Sequence, residues 1–367
     1  MQTTRQHPSK RLLLIPLLPL FWLYRFIIAL RNFCYDHDIF KSTKLPALVI
    51  SIGNLSAGGA GKTPATIFLA NALREQNWKV AIVARGYRRQ KKGLVVVSDG
   101  RQILAEVAAA GDEPLLMAQA CPGVPVIVDE QKKEAARAAV KNFGPDIVLI
   151  DDGFQHRQLH RDLDVVLLDA RTPVSRLFWF PPTPMREPFS AIRRADFIII
   201  RMDRDDAINE RLIAACRRYS PAPIMAGTLQ PIRWLPLDSE RSEPILPLTA
   251  LAHRPVLLVS GIANPGRFRE MVKSMSADIR DELVFTDHYQ YRAPDVAAIT
   301  TATRVCGAQY ILTTSKDAVK LAALLKTGAV LGAPALVLET TFVPEPNFLE
   351  FLQQSIRTHQ LQSVHQT

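Results

Sequence analysis

Residues 48–74 read as a short apolar run, a glycine-rich stretch and a helix-forming segment in succession, and this succession constrains the fold more tightly than any other feature. Leu48-Val49-Ile50-Ser51-Ile52 ends in Gly53 and predicts a buried strand. Ser56-Ala57-Gly58-Gly59-Ala60-Gly61-Lys62-Thr63 comes next, and residues 64–74 have helical composition. A strand, a glycine loop and a helix in that order form a phosphate cradle. The glycines let backbone N–H groups converge on the oxygens, and the helix N-terminus adds positive potential. Lys62 then reaches the β- and γ-phosphates, and the Thr63 hydroxyl meets magnesium. The strict spacing G-x-x-x-x-G-K-[ST] is missed at one place, where Ser56 stands for the first glycine. That departure bears on the turn at Ser56 and leaves the Gly-Lys-Thr cradle intact.

Further apolar runs at residues 80–84, 124–128, 147–150, 165–168 and 197–200 alternate with helical stretches such as 130–142. Continuous apolar strands alternating with helices predict an α/β fold, a phosphate-loop NTPase-like parallel sheet covered on both faces. Residues 220–254 change to a proline-rich succession of short runs, read as a domain boundary. Beyond it, runs at 256–259, 284–285, 310–313 and 335–338 predict a second, smaller α/β domain. The resulting division is 1–44, an N-terminal membrane-associated helix; 45–225, the core; 226–345, the smaller domain with its linker; and 346–367, a C-terminal helix and tail. From 353 onward the chain is polar and expected to fray in part. A length of 367 residues suits two domains.

Lys and Arg total 45 against 35 Asp and Glu, a surplus of +10 that favours anionic partners: nucleotide phosphates, lipid head groups or nucleic acid. The cysteines, Cys34, Cys121, Cys216 and Cys306, form no CxxC pair, which argues against a disulfide framework or a zinc site. Residues 1–50 hold seven basic and two acidic side chains around an uncharged run at 12–24. A cleaved signal would need small residues after the run, and Ile28-Ala29-Leu30-Arg31 offers none in the A-x-A pattern. Pro16, Pro19 and Arg25 weaken a spanning helix. A helix lying in the interface, with Leu20, Leu23, Phe26, Ile27 and Leu30 toward lipid, is the favoured reading, ahead of an ordinary core helix.

The run Ile147-Val148-Leu149-Ile150 ends in Asp151-Asp152, and an acid at the end of a strand beside a phosphate loop completes a magnesium shell. Gly153-Phe154-Gln155-His156 follows directly, at the sheet edge where open α/β folds bind ligands. Gly111-Asp112-Glu113-Pro114 opens a helix, so Asp112 is either a cap or a general base. Asp287-His288-Tyr289 holds a histidine that is catalytic only with a partner across a cleft. Arg85-Gly86-Tyr87-Arg88-Arg89 and Lys91-Lys92 make a basic turn suited to a phosphorylated acceptor.

Taken in order, these segments resemble the tetraacyldisaccharide 4′-kinases of lipid A biosynthesis. The resemblance runs from the N-terminal apolar helix through Thr314 and is most specific in Asp151-Asp152-Gly153-Phe154-Gln155-His156. Thr313-Thr314-Ser315-Lys316-Asp317 departs from the family's usual Thr-Thr-Glu-Lys-Asp at Ser315. The resemblance implies ATP- and magnesium-dependent phosphorylation of the 4′-hydroxyl of an acylated glucosamine disaccharide 1-phosphate, on the cytoplasmic face of the inner membrane, with the protein peripheral there. Carried over, residues Ser56, Ala57, Gly58, Gly59, Ala60, Gly61, Lys62 and Thr63 hold the nucleotide. Asp112 is the base, with His288 as its dyad partner, and Arg85, Tyr87, Gln155 and His156 meet the acceptor. Thr63 and Asp151 stand at the metal and Asp152 among the catalytic acids, the direct ligand staying open between the two aspartates.

Two rival classes are weighed against this. A membrane-associated switch ATPase would share the loop, but no N-K-x-D string reads guanine, so a GTPase is disfavoured. A nucleic-acid-binding protein rests on charge alone; no such module is recognised, and nucleic acid is not expected as a partner.

Overall fold

In the computed structural model, which describes residues 18–56, 58–172, 185–203, 205–238 and 244–364, the apolar runs pair into one twelve-stranded sheet. The strands are β1 (Leu48–Gly53), β2 (Val80–Ala84), β3 (Val95–Asp99), β4 (Pro125–Val128), β5 (Ile147–Asp151), β6 (Leu163–Asp169), β7 (Phe197–Arg201), β8 (Ile224–Pro236), β9 (Pro255–Ser260), β10 (Asp278–Val284), β11 (Tyr310–Thr314) and β12 (Ala335–Pro344). The helices are α1 (Leu18–Asp36), α2 (Lys62–Glu75), α3 (Val107–Ala110), α4 (Asp112–Ala120), α5 (Lys132–Phe143), α6 (Asp206–Arg217), α7 (Pro265–Ser274), α8 (Ala293–Cys306), α9 (Ser315–Leu325) and α10 (Phe348–Val364).

Across the sheet the order is β10-β9-β11-β12-β8-β7-β6-β1-β5-β2-β4-β3. All neighbours are parallel except β3 against β4 at one edge and β8 against β12 in the interior. The antiparallel β8–β12 seam organises the molecule. Its register runs from Gly227 opposite Pro344 to Pro236 opposite Leu336. The start of β8 also pairs with β7, and the start of β12 with β11. The strands on either side of the seam therefore run toward each other, and both sets of carboxyl ends open onto a single cleft.

Burial explains why these segments adopt these forms. The strands of the first half are buried almost throughout, as a sheet covered on both faces requires. In α2, Leu69, Ala70 and Leu73 pack with Ile50 and Ile52 of β1, burying the helical stripe that one face of α2 presents. Around β9, β11 and β12 a separate core forms, including Leu257, Val259, Ile311 and Val337.

Three expectations change. The proline-rich stretch contains β8, thirteen residues long, because Pro231 and Pro236 sit in a strand whose partner β12 shifts register at Glu339/Thr340. The boundary expected at 225/226 thus falls inside a strand. β3, an antiparallel edge strand, had not been expected. The strand expected at 284–285 spans Asp278–Val284; its charged residues hid it because it lies at the sheet edge with its side chains mostly exposed or half-buried. α10 covers Phe348–Val364, with Phe348, Leu352 and Ile356 buried on its inner face. Residues 1–17, with much of the expected apolar run, lie outside the described residues.

Candidate active site

The cleft between the two sets of strand ends has a volume of about 1070 Å³. Its floor is the loop between β1 and α2. Gly58 (φ 126°) and Gly61 (φ 91°) adopt backbone conformations that L side chains rarely reach, which is why glycine is required there. Ser56 is not left-handed; it bridges Met185 in extended geometry, so a side chain is tolerated where the strict pattern has glycine. Lys62 is the first residue of α2, and its Nζ lies 3.4 Å from Asp152 Oδ1 and 3.5 Å from the Gly58 carbonyl. Thr63 lines the cleft beside it, whereas Ala57 lies outside the described residues.

β5 runs beside β1 and delivers the acids. Asp151 Oδ1 accepts a hydrogen bond from Thr66 Oγ1 at 3.0 Å. Burial, then the charges of Glu113 and Asp152, push its carboxyl above the ordinary range. Burial also works to raise Asp152, but Lys62, Lys132 and Arg186 outweigh it and hold that carboxyl well below the usual value. Arg186 reaches both Asp152 oxygens, at 2.7 and 2.6 Å. Lys132, the first residue of α5, donates to the main-chain carbonyls of Asp151 at 2.7 Å and Asp152 at 2.6 Å. Burial pulls its ammonium down to about 8, against the pull of the two carboxylates.

The opposite wall joins the two halves. Asp112 opens α4, and its carboxylate meets His288 Nδ1 at 3.1 and 3.2 Å. His288 Nε2 lies 3.1 Å from Lys316 Nζ on α9, which also donates to Glu113 Oε1 at 3.0 Å and Asp287 Oδ1 at 3.2 Å. With an ammonium on Nε2, the imidazole carries its proton on Nδ1 and gives it to Asp112. Burial works to raise the Asp112 carboxyl, yet the His288 hydrogen bond and the charges of Lys316 and Lys320 keep it lowered. Lys320 lies 3.7 Å from Asp112 and 3.0 Å from Asp317, whose other oxygen accepts the Gly261 N–H. Further ion pairs close the halves at the far end of the loop. Asp169 is shared by Arg201 and Arg267, and Arg171 reaches Asp203 and Glu270.

Most of the residues expected from sequence meet at this cleft. Gly58 to Thr63, Arg85, Tyr87, Asp151, Asp152, Gln155, His156 and His288 line it. Asp112 does not: it is 4% exposed and sits behind His288. Tyr87 stacks edge-on against His288, ring centroids 4.8 Å apart, and Arg88 donates to the carbonyls of Asp287 and His288. The rest of the basic turn does not face the cleft; Arg89 pairs with Glu130 at 2.9 Å. Sequence reasoning missed Lys132, Arg186, Lys320, Arg201 and Arg267 and gave no role to Glu113 or Lys316. The last two stand inside motifs already singled out. Lys132 is one lysine in an Ala- and Lys-rich helix, and nothing local distinguishes it.

α1 borders the same cleft with Tyr24, Ile28 and Arg31, and Arg31 donates to the Gln155 carbonyl. Its polarity is inverted relative to a soluble surface helix. Asn32 faces inward to Glu187, while Leu20, Trp22, Leu23, Phe26, Ile27, Leu30 and Phe33 are exposed. No helix among the described residues is long and apolar enough to cross a membrane.

Comparison with known proteins gives the family of the chain. The family model described as Tetraacyldisaccharide-1-P 4'-kinase matches residues 13–357. The tetraacyldisaccharide 4'-kinase of Syntrophus aciditrophicus is 36% identical over 94% of this chain and 93% of its own. That of Halothermothrix orenii is 37% identical over 81% and 80%. The crystal structure of LpxK from Aquifex aeolicus in complex with ATP superposes with a TM-score of 0.73 at 31% identity, covering 94% of this chain and 98% of that one.

Proposed function

From membership of this chain in the tetraacyldisaccharide 4'-kinase family, which the comparisons establish, we propose how its residues divide the work of phosphorylation. The enzyme transfers the γ-phosphoryl group of ATP to the 4′-hydroxyl of the acylated disaccharide 1-phosphate in lipid A biosynthesis, with ATP and magnesium as cofactors. The glycine loop and Lys62 hold the triphosphate from below. Thr63, Asp151 and Asp152 offer the oxygen donors a hard divalent cation takes, and a cation there would stabilise the ionised form of Asp151 that burial first, and then the charges of Glu113 and Asp152, disfavour. Bound there, magnesium supplies charge neutralisation on the phosphates.

One observation supports the proton-handling role: the Asp112–His288 contact spans the two halves of the sheet, facing the phosphate loop across the cleft. His288 is the member that meets the cleft, and the buried Asp112 carboxylate stabilises the charge the imidazole gains. The acceptor hydroxyl takes the place of Lys316 on Nε2 and is positioned by Arg85, Tyr87, Gln155 and His156. Transfer of label from γ-labelled ATP, mapped to the 4′ position, measures the reaction. Asp112→Asn is expected to lower turnover about 10²- to 10⁴-fold with ATP affinity unchanged. Weakened ATP binding at full turnover capacity would reverse the assignment.

The protein acts from a membrane surface as a peripheral protein at the cytoplasmic face of the inner membrane. The exposed apolar face of α1 supports this, since a contiguous patch of that kind marks a lipid or protein contact. Replacing Phe26 and Leu30 by Ser should reduce binding to anionic vesicles while leaving turnover of a detergent-dispersed acceptor intact. Unchanged vesicle binding would remove α1 from that role.

A further inference from the structure

We propose that Lys132 is a positioning residue for phosphoryl transfer: its buried ammonium holds the end of β5 in the turn that aims two consecutive carboxylates at the phosphate loop. This rests on the phosphotransfer reading of the site. Successive residues of a strand point to opposite faces of the sheet, so Asp151 and Asp152 would be separated if β5 simply continued. The strand ends at Asp151, and Asp152 turns into left-handed backbone, φ 53°, which is uncommon for a residue with a side chain. The turn brings the two main-chain carbonyls to one point, where Lys132 Nζ meets them at 2.7 and 2.6 Å.

Lys132 hydrogen-bonds the main chain of the acids and leaves their carboxylates to other partners. Asp151 Oδ1 accepts from Thr66, and Asp152 faces Lys62 and Arg186. The lysine therefore shapes the pair through the pair's main chain and, without a hydrogen bond to either carboxylate, adds only its charge nearby. Its placement is otherwise unfavourable. The residue is 2% exposed and sits in the first turn of α5, where the helix dipole opposes a cation and burial penalises it. The packing of α5 does not require it, because Ala135, Ala136 and Ala139 bury that helix against the sheet.

The test compares wild-type protein with Lys132→Met, which keeps the length of the stem and removes the donor. Affinity for a fluorescent ATP analogue is measured in magnesium and in EDTA, beside kcat. Lys132→Met is expected to lose kcat and most of the magnesium-dependent gain in ATP affinity, each about 10- to 100-fold. Binding in EDTA, which depends on the loop and Lys62, should stay near wild type. A folded Lys132→Met with wild-type kcat and magnesium gain overturns the proposal, as does an equal loss of affinity in EDTA. Should that variant not fold, Lys132→Arg decides. The wider planar guanidinium on a longer stem does not fit where a compact ammonium meets both carbonyls at 2.7 and 2.6 Å, so a smaller loss of the magnesium gain is expected. Wild-type behaviour of Lys132→Arg overturns the proposal. If wild-type protein binds magnesium-ATP yet transfers nothing to the acylated disaccharide, the phosphotransfer reading fails, while the binding comparison still judges Lys132.

Discussion

The wall of the cleft made by the glycine loop and the wall that carries the Asp112–His288 pair are built in opposite ways. The first is one contiguous stretch, Gly58 to Thr63, shaped by the backbone at Gly58 and Gly61. The second gathers Asp112 and Glu113 from α4, Asp287 and His288 from the turn after β10, and Lys316 and Lys320 from α9. A site made of backbone must be local, because glycine positions and a helix start are set by neighbouring residues. A site made of charged side chains can draw on distant segments, provided the fold brings their ends together and compensates their burial. The second wall exists only where both halves of the sheet meet, whereas the glycine loop lies within one half.

The sharpest test of that contrast is Lys316→Ala. It leaves Glu113, Asp287 and His288 Nε2 without their shared cation, and a misplaced His288 should cost about 10²-fold in kcat. Its ATP affinity should stay within threefold of wild type by equilibrium binding. Equal losses in both quantities would mean that the two walls are not separable. Lys62→Ala should show the mirror image, ATP binding weakened about tenfold or more through loss of a charge-assisted phosphate contact, with little change in the melting temperature.

The smallest expected effect concerns His156. Burial, reinforced by the cations Lys132, Arg85 and Arg31, lowers its pKa to about 3, below the roughly 6.5 of an unfolded histidine. Between those values the unfolded chain binds the extra proton, so stability rises with pH across this window and falls as pH drops through it. His156→Gln should flatten the melting temperature of the protein between about pH 6.5 and 4. An unaltered slope would show that His156 is not buried in its neutral form.

Much of the first wall was legible in the sequence. Its strand, loop and helix are consecutive, and Asp151-Asp152 follows an unmistakable apolar run. Asp112 and His288 were legible as candidates, but their contact across 176 positions was not. Lys132 and Arg186 were invisible because a lysine in an Ala-rich helix or an arginine after prolines has no local signature of burial. β8 was hidden for a related reason: its prolines read as punctuation, and only pairing with β12 makes that stretch a strand.

By itself, then, the sequence determined the phosphate cradle, the alternating α/β order and the acidic end of β5, because each is fixed by contacts between residues near in the chain. The tertiary structure alone decided that β8 and β12 run antiparallel, turning the two sets of strand ends toward one cleft. It also decided which lysines lose their water there. Those choices depend on electrostatic and packing contacts among segments far apart in sequence, and such contacts exist only once the sheet has formed.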